Sequence, residues 1–163
     1  GSKFKRAPAE NTTIELVAGG TSGSWYSIFA AISEIVNKET ESNITLKVTP
    51  GGGIGNPGTV GAGEAEMGLT YGSFALAATK GEEPYTSTYE NLYALTGGFM
   101  PMYLEISVLA NSGYTNLKEA MVGSSPARIL TGISSTSTGY YFKQIMDYYN
   151  RNLSSNLSVK KPI

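Results

Sequence analysis

The sequence predicts an α/β fold built on a mainly parallel β-sheet with helices packed against it. Short runs of β-branched and apolar residues alternate along the chain with longer amphipathic segments, which is the pattern of successive βαβ units. Several of these transitions pass through a loop rich in glycine and hydroxyl side chains, the first of them over residues 19–24. Because the carboxyl ends of parallel strands share one edge of a sheet, we expect these loops to converge there.

The first strand and the first helix have the strongest patterns in the chain. Thr13–Ala18 is rich in β-branched and apolar residues and stops at a pair of glycines, which predicts a buried strand. From Trp25 to about Thr40, apolar side chains recur at helical spacing and predict an amphipathic helix. The positions that form this stripe are Trp25, Ile28, Phe29, Ile32, Ile35 and Val36.

The next elements repeat the alternation of strand and helix. Ile44–Thr49 alternates and ends before a proline, so we predict a second strand. Asn56 before a proline is typical of a helix N-cap, and it opens a predicted short helix over Pro57–Gly63. That helix is weak, because each glycine in it costs about 1 kcal/mol relative to alanine. A third strand and a two-turn helix are predicted to follow, over Met67–Tyr71 and Phe74–Lys80.

The pattern changes after Tyr89. We predict extended segments over Asn91–Leu95 and Met102–Leu109, and a short helix within Asn111–Val122. A strand over Arg128–Thr131 and a helix that ends near residue 150 then repeat the arrangement of the first strand and helix. The chain is therefore expected to comprise a tail over residues 1–11, a first α/β lobe over 12–110, and a crossover with the start of an incomplete second lobe over 111–163.

Composition excludes several classes of function. The chain has no cysteine and no histidine, which excludes thiol nucleophiles, Ser-His-Asp triads and zinc sites built on those residues. A net charge of −1 gives no basic surface for nucleic acid. No apolar run approaches the about 18 residues that a membrane-spanning helix needs. We predict no catalytic residue, no metal, no cofactor, no nucleic-acid partner and no membrane span.

Two of the predicted helices begin without an acidic residue. The first acid after Gly19 is Glu34, and the first after Arg128 is Asp147. Acids normally occupy the first turn because they complement the helix dipole. Two such starts, each reached through a loop of glycines and hydroxyls, offer backbone N–H and hydroxyl donors to a carboxylate or a phosphate.

Each of these features also has a purely structural interpretation, which the sequence leaves open. A Gly/Ser loop before a helix often serves only as a turn and a cap. Asn56 taken alone suits a cap, and Tyr71 suits packing as well as a binding site. Trp25 in a first turn suits either the core or a lid over a ligand.

Five stretches together resemble a known family. Ala18–Tyr26 precedes a helix, Gly51–Asn56 and Gly61–Leu69 follow it, and Asn116–Glu119 and Gly132–Thr138 lie further along the chain. In this order they resemble the N-terminal part of the TAXI family of extracytoplasmic solute-binding proteins, which serve TRAP transporters. The resemblance covers most of the chain, and the combination is more specific than any single stretch.

The resemblance implies a two-lobed, periplasmic-binding-protein-like architecture of class II type. The two lobes would close on a small organic anion such as glutamate or a dicarboxylate and present it to TRAP-type permease subunits, in the periplasm or at the cell surface. On the first lobe's side the candidate ligand-binding residues are Ser22, Ser24, Trp25, Asn56 and Tyr71, with Thr21, Tyr26 and Gly53 from the same loops. On the second lobe's side they are Ser134, Ser135, Thr136 and Thr138.

Some positions depart from the family pattern and leave the ligand open. Trp25 stands where the family commonly has a small residue or tyrosine, Glu66 stands where aspartate is usual, and Thr70–Ser73 differs from the family's third loop. Gly1-Ser2 is typical of a cleaved tag, so we expect the export signal to be missing from this sequence. The resemblance further implies that the chain is a fragment that lacks most of the second lobe. Two alternatives stay open: an enzyme that uses Thr21–Ser24 as a cradle for a phosphorylated or carboxylated small molecule, and a sensor or adhesin module that reuses the binding fold.

Overall fold

A computed structural model describes residues 10–39, 43–99, 101–129, 131 and 136–149. The chain divides after Gly97 into two compact units, residues 1–97 and 98–163. The lobe boundary that the sequence analysis placed at residue 111 stays a prediction.

The first unit contains a three-stranded parallel sheet with helices between its strands. Its elements are β1 (Thr12–Val17), α1 (Ser24–Lys38), β2 (Ile44–Thr49), α2 (Asn56–Gly61), β3 (Met67–Gly68) and α3 (Gly72–Lys80). The strand order is β2-β1-β3, and both pairings are parallel. The predicted parallel α/β arrangement is therefore confirmed for this unit. The third strand is shorter than predicted, because the chain turns at Tyr71 to begin α3.

One face of this sheet carries the core of the unit. Leu16, Ala18 and Leu46 form a buried cluster, and Leu16 is only 2% exposed. The inner face of α1 covers this cluster with the side chains of Tyr26, Phe29, Ile32 and Val36. The predicted apolar stripe was too broad, because Ile28 and Ile35 are 44% and 71% exposed. Burial of this stripe supplies most of the stability of α1, since propensity alone rarely holds a helix of this length.

The helix α2 differs from its prediction at both ends. It begins at Asn56 and its N-cap is Gly55, so the prediction that Asn56 caps the helix was wrong. The reason is that the Asn56 side chain turns inward to the sheet instead of back to its own helix. The helix ends at Gly61, where a Cβ atom would come within 2.7 Å of Tyr89 Cγ. The glycine that weakens this helix is thus required by the packing of an aromatic ring.

The described residues of the second unit form two helices over a small buried cluster. Its elements are α4 (Leu117–Val122) and α5 (Ser137–Tyr148), and the cluster is Met121, Phe142 and Met146. The predicted strand over Arg128–Thr131 was wrong at its described positions, which leave out residue 130. The chain there folds back on α4, where the N–H of Ala127 donates to the carbonyl of Ala120 at 2.8 Å. Residues 101–109 belong to no helix or strand.

None of the helices in the described ranges has the length and apolar character that a bilayer crossing requires.

Candidate ligand-binding site

The loops that follow the three strands meet at the carboxyl edge of the sheet. The N–H of Gly51, after β2, donates to the carbonyl of Gly19, after β1, at 3.2 Å. The hydroxyl of Thr70, after β3, donates to the carbonyl of Gly53 at 2.6 Å. These bonds join the three loops to one another, and they confirm the convergence that the parallel sheet predicted.

The side chain of Asn56 joins the ends of β1 and β3 to the loop after β2. Its amide Nδ2 lies 3.0 Å from the carbonyl oxygen of Val17, 2.7 Å from that of Ala18 and 2.6 Å from that of Leu69. Its Oδ1 accepts from the N–H of Gly52 at 2.8 Å. With 2% of its surface exposed, Asn56 holds the edge together from inside, a role the sequence analysis missed. Contact of Asn56 with a ligand stays a prediction.

The start of α1 offers backbone donors to this edge. The helix has Gly23 as its N-cap, no side chain caps it, and its first turn contains no acid, which confirms the predicted acid-free start. The first N–H groups of any helix have no intrahelical partner, so they remain available to a ligand or to water. Hydroxyl side chains at Thr21, Ser22 and Ser24 are exposed beside them.

The start of α3 is a second helix terminus at the same edge, and the sequence analysis missed it. Its N-cap is Tyr71, and it too lacks both a side-chain cap and a first-turn acid. The signal was present in Gly72 and Ser73, whose composition is that of the other two loops. By contrast, the second unit caps its own helices: Asn116 accepts from the N–H of Glu119 on α4, and Thr136 accepts from the N–H of Gly139 on α5.

Two aromatic rings from different elements meet at this edge. The ring centroids of Trp25 and Tyr71 are 5.0 Å apart with the planes tilted by 46°, and Phe74 packs against Tyr71 edge-on at 5.7 Å. Gly53 lies against the same ring, so that a Cβ atom there would come within 2.6 Å of Tyr71 Cδ2. The structure therefore brings Trp25, Gly53 and Tyr71 together, and their contact with a ligand stays a prediction.

The other predicted residues are placed less favourably or lie outside the described residues. Tyr26 packs on the buried cluster of the first unit. In the second unit, Thr136 caps α5 with its hydroxyl and Thr138 is exposed in the first turn, which lacks an acid as predicted. Ser134 and Ser135 fall outside the described residues. Their contribution to a ligand site stays a prediction.

A separate cavity lies within the second unit. Its volume is about 370 Å³, and it is lined by side chains of α5 together with Leu104, Leu117 and Tyr149. None of the candidate residues that the structure describes lines it. In the described ranges of the chain, no three His, Cys, Asp or Glu side chains lie close enough to hold a metal ion.

Comparison with known proteins identifies the family of this chain. A model of the NMT1-like family matches residues 16–161, which is most of the sequence. This family is periplasmic-binding-like and related to the solute-binding proteins of TRAP transporters. Searches of curated proteins and of solved structures found no match. The parallel sheet with loops converging at its carboxyl edge agrees with a binding-protein lobe, and the extent of the family match shows that the chain belongs to the NMT1-like family.

Proposed function

We propose that this chain belongs to an extracytoplasmic solute-binding protein of the TAXI type, which captures a small organic anion for a TRAP-type permease. Glutamate and C4-dicarboxylates are the first ligands to test. The family match supports a solute-binding role in general. The choice of an anion rests on one observation, the convergence of two uncapped, acid-free helix starts at the carboxyl edge of the β2-β1-β3 sheet.

The donors at this edge are backbone N–H groups and hydroxyls. The three loops, over residues 19–24, 50–56 and 69–73, contain no lysine, arginine, aspartate or glutamate. A carboxylate held there would depend on hydrogen bonds, each worth about 1.5–3 kcal/mol when one partner is charged. The helix dipoles would add only about 0.3–1 kcal/mol each.

The composition of the three loops favours a binding protein over an enzyme. General acid–base catalysis most often uses a histidine or a carboxylate within reach of the substrate, and the three loops contain neither. A Ser22→Ala variant tests the rival enzyme. If the chain turned over a phosphorylated or carboxylated small molecule and Ser22→Ala abolished the turnover, the enzyme would replace the binding protein.

Calorimetric titration with glutamate, 2-oxoglutarate and succinate tests the function itself. We expect saturable heat from at least one of these anions, and a weaker response in Ser24→Ala, which removes a hydroxyl from the first turn of α1. Absence of heat from any organic anion, with circular dichroism showing a folded chain, would contradict the proposal. Co-purification with TRAP permease subunits distinguishes transport from a sensor or adhesin module.

A further inference from the structure

We propose that Trp25 and Tyr71 form an aromatic wall at the carboxyl edge, and that this wall selects a carboxylate with a flat, apolar body. The ligand class is an arylcarboxylate, favoured over compact polar anions such as glutamate and succinate. The inference rests on the proposed function, because it concerns the ligand of the same edge. It is carried by the packing of the two rings.

The two rings lie outside the buried cluster around Leu16. Tyr26, the neighbour of Trp25, packs on the buried cluster around Leu16. Trp25 and Tyr71 are not among the side chains that pack on that cluster in the described part of the chain, and both are only half-buried. Packing on that cluster therefore does not account for the pair.

Neighbouring residues fix the position of the wall by packing and by hydrogen bonds. Phe74, which is 2% exposed, packs edge-on against the ring of Tyr71. Gly53 leaves space for that ring, and the hydroxyl of Thr70 fixes the Gly53 carbonyl at 2.6 Å. The hydroxyl of Tyr85 holds the next carbonyl, that of Ile54, at 2.7 Å. A surface that is ordered before binding costs little further entropy when a ligand packs on it.

The distance between the rings decides how a ligand can use them. A third ring inserted between two others would require a separation of about 7 Å, twice the contact distance between carbon atoms. The centroids of Trp25 and Tyr71 are 5.0 Å apart, so the pair is already in contact and forms no slot. A ligand can pack only on an outer face of the pair, which favours a flat body over a branched one.

The polar groups of the three loops favour a ligand without an ammonium group. Residues 19–24, 50–56 and 69–73 include no aspartate or glutamate that could pair with the α-ammonium of an amino acid. They do provide N–H and hydroxyl donors for a carboxylate, notably beside Trp25 at the start of α1. A carboxylate directly attached to an apolar ring matches both parts of the surface.

Titration of the whole chain with benzoate, glutamate and succinate tests the inference. Trp25 is the only tryptophan of the chain, so its fluorescence reports directly on the wall. We expect benzoate to shift the emission of Trp25 and to bind at least about tenfold more tightly than the other two anions, the gain typical of a buried aromatic contact. Calorimetry gives the same affinities independently of the fluorophore.

Variants at position 25 distinguish the loss of the aromatic wall from a loss of folding. Trp25→Ala is expected to weaken benzoate binding about tenfold and to leave succinate within about twofold. Trp25→Phe keeps a flat ring and should retain the preference, which guards against simple misfolding. Tyr93→Ala, at a residue 86% exposed, is the matched control and should change neither affinity.

The possible results are distinguishable. Equal affinities for the three anions, or an equal loss for all of them in Trp25→Ala, would overturn this inference and leave the proposed function standing. Failure of all three anions to bind a folded chain would overturn the proposed function and this inference with it.

Discussion

The ring of Tyr71 lies against Gly53, so closely that a Cβ atom at Gly53 would come within 2.6 Å of Tyr71 Cδ2. Real Cβ atoms do not make contacts this short. Because position 53 is a glycine, the side chain of Tyr71 at the start of α3 can pack on the loop after β2. It links the glycine-rich composition of that loop to the position of the aromatic pair.

Substitution of Gly53 should displace the aromatic pair. We expect Gly53→Ala to lower the free energy of unfolding by about 1–3 kcal/mol, as overpacking commonly does, and to change the emission of Trp25. Gly52→Ala is the matched control, because a Cβ there meets nothing within 4 Å. Urea denaturation measures both variants. Equal stability of the two variants would show that the ring of Tyr71 can move away from position 53 without a loss of stability.

Loss of the Asn56 side chain should destabilise the whole carboxyl edge. Asn56→Ala removes the amide that donates to the carbonyls of Ala18 and Leu69, just after the ends of β1 and β3, and we expect the free energy of unfolding to fall by about 2–3 kcal/mol. Asn91→Ala is the control, since Asn91 is exposed and makes one bond, to the carbonyl of Gly61 at 3.1 Å. A loss no larger than that of the control would contradict the role of Asn56 as the centre of this edge.

The sequence was most informative where structure depends on neighbours along the chain. The strand over Ile44–Thr49 was predicted with its observed bounds, because alternation and a following proline are local signals. The acid-free start of α1 was likewise visible from composition alone. Asn56 was misread as a cap because its true partners, Val17 and Ala18, lie 39 and 38 residues away. Local patterns do not encode such contacts.

The same reason explains two further differences. The β-branched and apolar residues of Arg128–Thr131 suit a strand, but a strand also needs a partner, and Ala127 just before them bonds back to α4. The start of α3 was placed at Phe74, two residues late, because Gly72 is a poor helix former in isolation. Tertiary packing of Tyr71 decides where that helix begins.

The stability of the second unit should depend on the ionisation of Glu119. Hydrogen bonds from the N–H and the hydroxyl of Thr115, at 2.9 and 2.8 Å, lower the pKa of this carboxyl below its usual value of 4.5. A lowered pKa in the folded state means that the stabilisation is present above the unfolded pKa and is lost as the pH falls through the folded one.

A pH series of urea midpoints tests this dependence. Glu119→Gln should be less stable than the natural chain at neutral pH, and the difference should shrink as the pH falls below about 4.5. Thr115→Val removes the hydroxyl, which donates to Glu119 and accepts from Asn116 Nδ2 at 3.2 Å, but keeps the N–H donor, and it should give a smaller difference of the same kind. A difference that stays constant across the series would rule out ionisation as its origin.

The outer edge of β2 is protected by a side chain of α1, and this protection can be removed. The amide of Asn37 imitates a neighbouring strand: its Oδ1 accepts from the N–H of Leu46 at 2.7 Å, and its Nδ2 donates to the carbonyl of Leu46 at 3.0 Å. The hydroxyl of Ser33 also donates to that carbonyl. Edge strands with open N–H and C=O groups pair readily with other chains, so Asn37 blocks one such position.

We expect Asn37→Ala to cost about 1 kcal/mol and to increase self-association, because the N–H of Leu46 loses its partner while its carbonyl keeps Ser33. Glu34→Ala is the control from the same helix: it removes an exposed ion pair with Lys38 and should cost less than about 0.5 kcal/mol. Light scattering over a concentration series, together with urea denaturation, measures both effects. A monodisperse Asn37→Ala variant of unchanged stability would mean that the edge needs no protection, and that the Asn37 amide only replaces water at Leu46.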